Sequence, residues 1–373
     1  MVSKSNALHF AGVGLKDTET GHEGYTYPGI FVKFTDFAGN KEIENEEDEG
    51  HTGRRTLKLG SVRNKASASP EITDNFRLNQ GLEDFCYHAL GTMTETSNEA
   101  TEEVGANYVQ TITPNTTGDL PQTHILHGFN DDVQGCRIYK NALANELTFT
   151  MNSEEKPTVK CAYISDFPIF GEDTQTVSPT FGAYAPKALN SGNFAVFFAP
   201  KSTTIDEATD KIDCLTDSEV TVNNNIEASI CAGTEFGESN KDIKNLEVTG
   251  NMTLRYADKD IERLFATNTY DGVKVSEKSL EGALRFKYVS EYIPTGETKP
   301  IPLLFQIDIP NATIDKAESS ESGDDVKTIS IEFSSSDELS ELSTPIIKIT
   351  TQSGLQFMTS NKVTTHVCLE MPT

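Results

Sequence analysis

"NLEVTGNMTLRYADKDIERLF", residues 245–265, changes its period halfway along. From Leu246 to Tyr256 the apolar residues alternate (Leu246, Val248, then Met252, Leu254, Tyr256), the pattern of a strand with one buried face. Beyond it, Asp258 is placed to cap a helix whose Ile261, Leu264 and Phe265 fall on one stripe. The stretch therefore predicts a strand running into a short amphipathic helix. It also leaves a polar set (Glu247, Thr249, Thr253, Arg255) for solvent or a neighbour, and it carries no chemistry.

Outward from this junction, most of the chain reads as strands separated by Gly, Asn, Asp and Ser. Alternating or β-branched runs are "IFVKF" (30–34), "RTLKLGSV" (55–62), "HILHGF" (124–129), "NELTFTM" (145–151), "TVKCAYI" (158–164), "FAVFFA" (194–199), "ALRFKYV" (283–289), "KTISIEF" (327–333) and "PIIKIT" (345–350). Only one other helix is predicted, over "NQGLEDFCYHALG" (79–91), with Leu82, Phe85, Cys86 and Leu90 on one stripe and Gly91 as its stop. The fold class expected is mainly β.

Strand, helix, strand and hairpin follow one another in the same order twice. "YKNALANELTFTMNSEEKPTVKCAYIS" in the first half and "IPNATIDKAESSESGDDVKTISIEFSS" in the second each read as a short strand, an Asn-Ala turn and a hairpin with a polar, acid-rich tip. This predicts two related β domains, 1–172 and 173–373, each with one short flanking helix. A length of 373 residues agrees with two cores better than one.

The chain has 31 Lys and Arg against 57 Asp and Glu, a net charge of −26. Up to residue 172 there are 26 acids and 14 bases, leaving 31 and 17 beyond it, so the acidity belongs to both halves. Such a surface repels a duplex or an anionic membrane, because phosphate affinity comes mainly from Lys and Arg displacing counterions. This balance argues against tight nucleic-acid binding and leaves room for weak contact with DNA sliding past. Cys86, Cys136, Cys161, Cys214, Cys231 and Cys368 form no close pair and are read as free thiols in a reducing cytoplasm. No signal peptide or membrane span is expected, so Asn115-Thr116-Thr117 and Asn311-Ala312-Thr313 are chance glycosylation matches.

No phosphate loop, nucleophile elbow or zinc-protease helix is present, and no catalytic, cofactor-binding or metal residues are assigned. His124 and His127 are three apart in a predicted strand, which points them to opposite faces and away from a common metal. His88 is expected at a helix surface or half-buried. The acids at 42–49 and the pair Glu154-Glu155 are neighbours on polar segments, not carboxylates held apart across a dry cleft. Two segments stand outside the repeated frame. "KEIENEEDEGHTGRR" (41–55), which ends in Arg54 and Arg55, is read as an exposed charged loop. "TETSNEATEEVGANYVQTITPNTTGDLPQ" (94–122) is read as a long polar insertion.

The segment "VNNNIEASICAGTEFGESNKDIKNLEVTGNMTLRYADKDIERLF" (222–265) resembles part of the tail tube proteins of tailed bacteriophages, in which an Asn-rich strand and turn precede a Val-Thr-Gly strand and a short helix. "GHEGYTYPGIFVKF", the "GLEDFCYHALG" helix and the "NALANELTFTM" strand stand in the order that family leads one to expect, and the resemblance covers most of residues 20–335. It departs from the family at 42–49 and 94–122. The resemblance implies β-sandwich or curled-sheet units whose inner sheets join side by side into rings, which removes exposed edges. It implies rings of three chains with six similar wedges, stacked into a conduit for genome ejection, with the 245–256 strand in the ring-forming sheet, its helix bracing the outside, and the 41–55 loop bridging to an adjacent ring where Arg54 or Arg55 meets carboxylates. The implied partners are further copies of the chain, tape measure and tail terminator or tip proteins, and viral DNA in transit through an acidic lumen. The implied location is the virion tail, assembled in the host cytoplasm, without a membrane anchor. The alternatives are a capsid decoration or baseplate component on similar sandwiches, and a carbohydrate-binding or hydrolytic β-protein. The absence of Trp weighs against the last.

Overall fold

The computed structural model describes residues 9–15, 30–32, 34–49, 58–78, 81–129, 136–170, 191–200, 203–212, 215–229, 240–255, 264, 279–293, 298–320, 328–335 and 345–354. The first half holds β1 (His9–Leu15), β2 (Ile30–Val32), β3 (Asp36–Glu49), β4 (Lys58–Asn75), α1 (Leu82–Leu90), β5 (Gly91–Asn98), β6 (Asn107–Pro114), β7 (Thr123–Phe129), β8 (Cys136–Asn152), β9 (Thr158–Ile164) and β10 (Ile169–Phe170). The second holds β11 (Phe194–Pro200), β12 (Lys211–Ile212), β13 (Leu215–Asn223), β14 (Glu227–Ser229), β15 (Asn240–Asp242), β16 (Glu247–Arg255), β17 (Leu280–Tyr292), β18 (Ile301–Ser320), β19 (Thr328–Ser335) and β20 (Lys348–Ser353). The fold is mainly β, as the alternating runs predict.

One long antiparallel sheet runs through both halves in the order β3, β4, β9, β8, β13, β16, β19, β18. β16, the strand of residues 245–256, lies inside it, between β13 and β19. Its burial alternates as the sequence requires: Val248, Met252 and Leu254 are buried, while Glu247, Thr249 and Arg255 are exposed. A second layer covers the buried face. It contains β2, β1, β7, the start of β8 and β10 from the first half, and β12, β11, β17, the start of β18 and β20 from the second. The long strands β8 and β18 cross from one layer to the other, and aromatic contacts tie the layers together. Phe76 lies 4.8 Å from Phe305, and Phe286 lies 5.9 Å from Phe333.

The halves share more than strand order. Ala144 stands opposite Tyr163 and Thr150 opposite Thr158, as Ile314 stands opposite Phe333 and Ser320 opposite Thr328. Each hairpin slips register at the same place, between Ala144 and Glu146 in one and between Ile314 and Lys316 in the other. The preceding strands also agree: Thr123 faces Ala142 just before a slip, as Gly282 faces Ala312. Both alanines belong to the Asn-Ala pairs of the sequence, and both are fully buried. Asn141 takes a left-handed conformation (φ 48°) at its bulge, one that Asn tolerates better than most residues.

Helix α1 lies under the long sheet with Leu82, Phe85, Cys86 and Leu90 buried, and it ends at Gly91. There φ is +88°, and a Cβ would meet the Asp119 carbonyl at 2.9 Å. Of the helix expected after Asp258, only Leu264 falls among the described residues; it is helical and packs against the core.

Two expectations are corrected. Residues 41–49 are not a loop: they continue β3, paired with β4 out to Glu49 opposite Lys58. Charge density argues against a buried face, yet a two-stranded ribbon satisfies its backbone groups with both faces wet. β4 pairs with β9 only over Glu71–Asn75, so the acidic end of the hairpin runs past the long sheet. Arg54 and Arg55 lie outside the described residues. Residues 94–122 are likewise not one long polar loop: β5 and β6 form a hairpin there, and β6 pairs with β20 of the second half. The partner that orders this polar stretch is more than two hundred residues away in sequence.

Candidate assembly interface

Chemistry-bearing residues do not converge among the described residues. His124 and His127 are both buried: His124 Nδ1 accepts from the Asn141 backbone N–H at 3.4 Å, and His127 stacks on Phe37 at 3.9 Å. No described group of three or more His, Cys, Asp or Glu could hold a metal ion. Glu154 and Glu155 are exposed in the β8–β9 turn. His88 departs from its expectation. It is buried under α1 with Nδ1 3.2 Å from the Tyr163 hydroxyl, and desolvation lowers its pKa to about 3, so it sits there as a neutral ring. The helix stripe was read at its apolar positions only, and every α1 residue except Tyr87 is in fact buried.

The same pocket holds Cys86 and Cys161 as buried free thiols, the latter pushed up to about 12 by burial. Asp84 is raised to about 7, chiefly by desolvation. These shifts disfavour charge and suit a core better than a nucleophile. The other four cysteines lie outside the described side chains. A cavity between the halves is lined by Phe76, Met151, Phe194, Val196, Ile212 and Tyr288, with Lys211 at its wall. It presents no acid–base pair.

What the fold does build is a joint between strands of different halves. β8 and β13 pair antiparallel from Glu146 opposite Asn223 to Asn152 opposite Asp217. On the core side, Leu147 and Phe149 face Val222 and Val220, all fully buried. On the outer side, the hydroxyls of Thr148 and Thr221 meet at 3.3 Å. The Asn run then locks the strand end. The Asn224 amide nitrogen donates to the Ala89 carbonyl at 3.0 Å and the Ala144 carbonyl at 2.8 Å, and Asn145 Oδ1 accepts from the Ile226 N–H at 2.8 Å. Asn224 thus satisfies the end of α1 and the bulge of β8 together, which a buried joint demands.

Further contacts cross between the halves. Thr351 on β20 donates to Gln110 on β6 at 2.9 Å, and Gln352 donates to Asn107 at 2.8 Å. Lys241 on β15 pairs with Asp166 at 2.6 Å, both side chains nearly excluded from solvent, and Asn141 donates to the second carboxylate oxygen. Sequence reading missed these residues, because a buried polar side chain is recognised by its partner and not by its period. Only the Asn-Asn-Asn run gave a local signal.

The outer face of the long sheet is polar. Register places Glu42, Glu71, Glu146, Glu219, Glu247, Glu318 and Glu332 on it, against Lys160, Arg255 and Lys316, with Thr and Ser between them. Lys160 bridges Glu146 at 3.2 Å. At the two ends of the sheet, β3 beside β4 and the end of β18 beside β19 carry no second partner strand among the described residues. Open strand edges of this kind are templates for another chain.

Residues 41–335 match the family model described as phage tail tube protein. No curated protein matches the chain.

Proposed function

The chain belongs to the phage tail tube protein family and is a structural component of the virion tail, and we propose that its copies close edge to edge into rings that stack into the tube. The observation that carries this is the long sheet. It is continuous across both halves, polar and acidic on its outer face, and open at both ends among the described residues. Closing it with further copies removes the edges and turns that face toward a common axis. The repeated register supports a reading of residues 1–172 and 173–373 as two related units, so that three chains give six similar wedges. An acidic, Thr- and Ser-rich lumen lets a duplex carrying one charge per about 1.7 Å pass without adhering, as ejection requires. Tape measure, terminator and tip proteins complete such a tail, and assembly takes place in the host cytoplasm.

Negative-stain microscopy of the purified protein tests the reading. Hollow rings or tubes, with threefold averages showing six similar lobes, are expected. Monomers at every concentration, or curved shell fragments, overturn it.

A further inference from the structure

We infer that the ring closes by copying the joint inside the chain: the end of β18 in one copy pairs antiparallel with β3 of the next, Lys316 opposite Glu42, Ala317 opposite Lys41, Glu318 opposite Asn40 and Ser319 opposite Gly39. The inference rests on the reading of the protein as a self-assembling tube subunit, and it names the surfaces that meet and their register.

The derivation needs only the strand pairs. β8 and β18 are equivalent because each pairs with the following strand in one register, with the slip at the same position. β3 and β13 are equivalent because each is the neighbour of the strand beside that hairpin. Phe37 stands opposite Ile72, which stands opposite Cys161; Ser218 stands opposite Met252, which stands opposite Ile331. Inside the chain β8 pairs with β13. Its counterpart, β18 with β3, is not made within the chain, and both strands carry an open edge among the described residues. Carrying Glu146–Asn223, Leu147–Val222, Thr148–Thr221 and Phe149–Val220 over to the equivalent positions gives the four pairs above.

The chemistry of the two edges fits a second copy of this chain. Lys316 is exposed, with Nζ 3.0 Å from Glu318 and 3.9 Å from Glu332, and the transferred register sets the exposed Glu42 opposite it. Opposite charges directly across a ladder stabilise the pair. On the core side the large pair Phe149 and Val220 becomes Ser319 and Gly39. Position 39 is crowded, because a Cβ there would run into the Tyr139 hydroxyl. The contact is head-to-tail, one surface of a copy meeting a different surface of the next, which is the kind that generates rings.

Oxidative crosslinking of a double variant, Asn40→Cys with Glu318→Cys, tests the register. These positions stand where the Thr148 and Thr221 hydroxyls lie 3.3 Å apart, and wild-type protein controls for the native thiols. Disulfide-linked oligomers ending at the ring number, with none when Lys41→Cys replaces Asn40→Cys, are expected. Rings or tubes under the microscope without linkage overturn this pairing and leave the tube reading standing. Neither rings nor linkage overturns both. As a second measurement, Lys316→Glu raises the protein concentration needed for ring formation about fivefold, and adding Glu42→Lys restores it, with unchanged melting temperatures. An unchanged threshold in Lys316→Glu overturns the pairing.

Discussion

At the joint between β8 and β13, Phe149 and Leu147 face Val220 and Val222 in the core; at the equivalent places on the outer strands stand Ser319 and Ala317, Gly39 and Lys41. The joint also carries Asn224, whose amide binds the last turn of α1 and the bulge of β8. One register thus serves two chemistries. A contact formed once, as the chain folds, can be apolar and locked. An edge exposed until another molecule arrives stays small and charged, because a flat apolar edge would pair with any strand it met.

Deleting apolar volume at the joint breaks the comparison most severely. Phe149→Ala is expected to cost about 3–5 kcal/mol in chemical denaturation, since it empties space beside Phe76 and Phe305, whereas Ser319→Ala at the outer position shifts stability by less than about 0.5 kcal/mol. Equal losses at the two positions would mean that the outer edge is as buried as the joint.

The apolar member of this contrast was legible in the sequence and the polar one was not. The strands "TVKCAYI" and "NELTFTM" and the β16 strand declare themselves because a half-buried strand must alternate, and their bounds agree with the structure to within a few residues, β8 beginning earlier than its run. The end of α1 was legible at Gly91 because a left-handed residue there favours Gly. The β3–β4 ribbon and the β5–β6 hairpin were not, since the acidic end of the first has no apolar alternation in its sequence and the second is ordered by β20. The pairing of β8 with β13 joins parts of the chain some seventy residues apart by matching apolar faces that many strands possess, so its register could not be read from either strand alone. Among the described residues the candidate site is a matter of topology, which periodicity does not encode.

The pocket under α1 supplies the next test, through pH. Asp84 has its folded pKa raised from 3.8 to about 7, so the folded state holds the proton more tightly than the unfolded chain. Its contribution is intact below about pH 4 and is lost as pH rises toward 7, a penalty of up to about 4 kcal/mol at pH 8. Asp84→Asn is therefore expected to stabilise the protein at pH 8 and to change little at pH 4. His88, lowered from 6.5 to about 3, acts in the opposite sense: its neutral burial is favourable above pH 6.5 and is lost as pH falls toward 3. Between about pH 4 and 6.5 the two slopes oppose, so the wild type shows a flatter profile than either Asp84→Asn or His88→Gln. Urea denaturation across pH checks this, and a steep wild-type slope in that window would count against it. None of these changes touches the outer edges.

Asn224→Ala sharpens the contrast at a smaller scale. It leaves the Ala89 and Ala144 carbonyls without the amide that binds both, at an expected cost of about 2–3 kcal/mol. Hydrogen exchange localises the effect: protection should fall at the β8–β13 joint and the end of α1 while β1 and β7 keep theirs. A uniform loss would show that Asn224 supports global stability and not the joint.

The smallest stability effect is the most informative about the edge. Ser319→Val gives the outer position an apolar, β-branched side chain like the valines of the joint, at an exposed site where stability in dilute solution should move by less than about 0.5 kcal/mol. Its consequence falls on association. An apolar residue on an open strand edge makes pairing less selective, so the variant should form irregular aggregates at concentrations where the wild type forms rings, as light scattering and microscopy would record. If Ser319→Val assembled as cleanly as the wild type, the small polar residues of β18 would not be guarding a waiting edge, and the difference from Phe149 would need another cause.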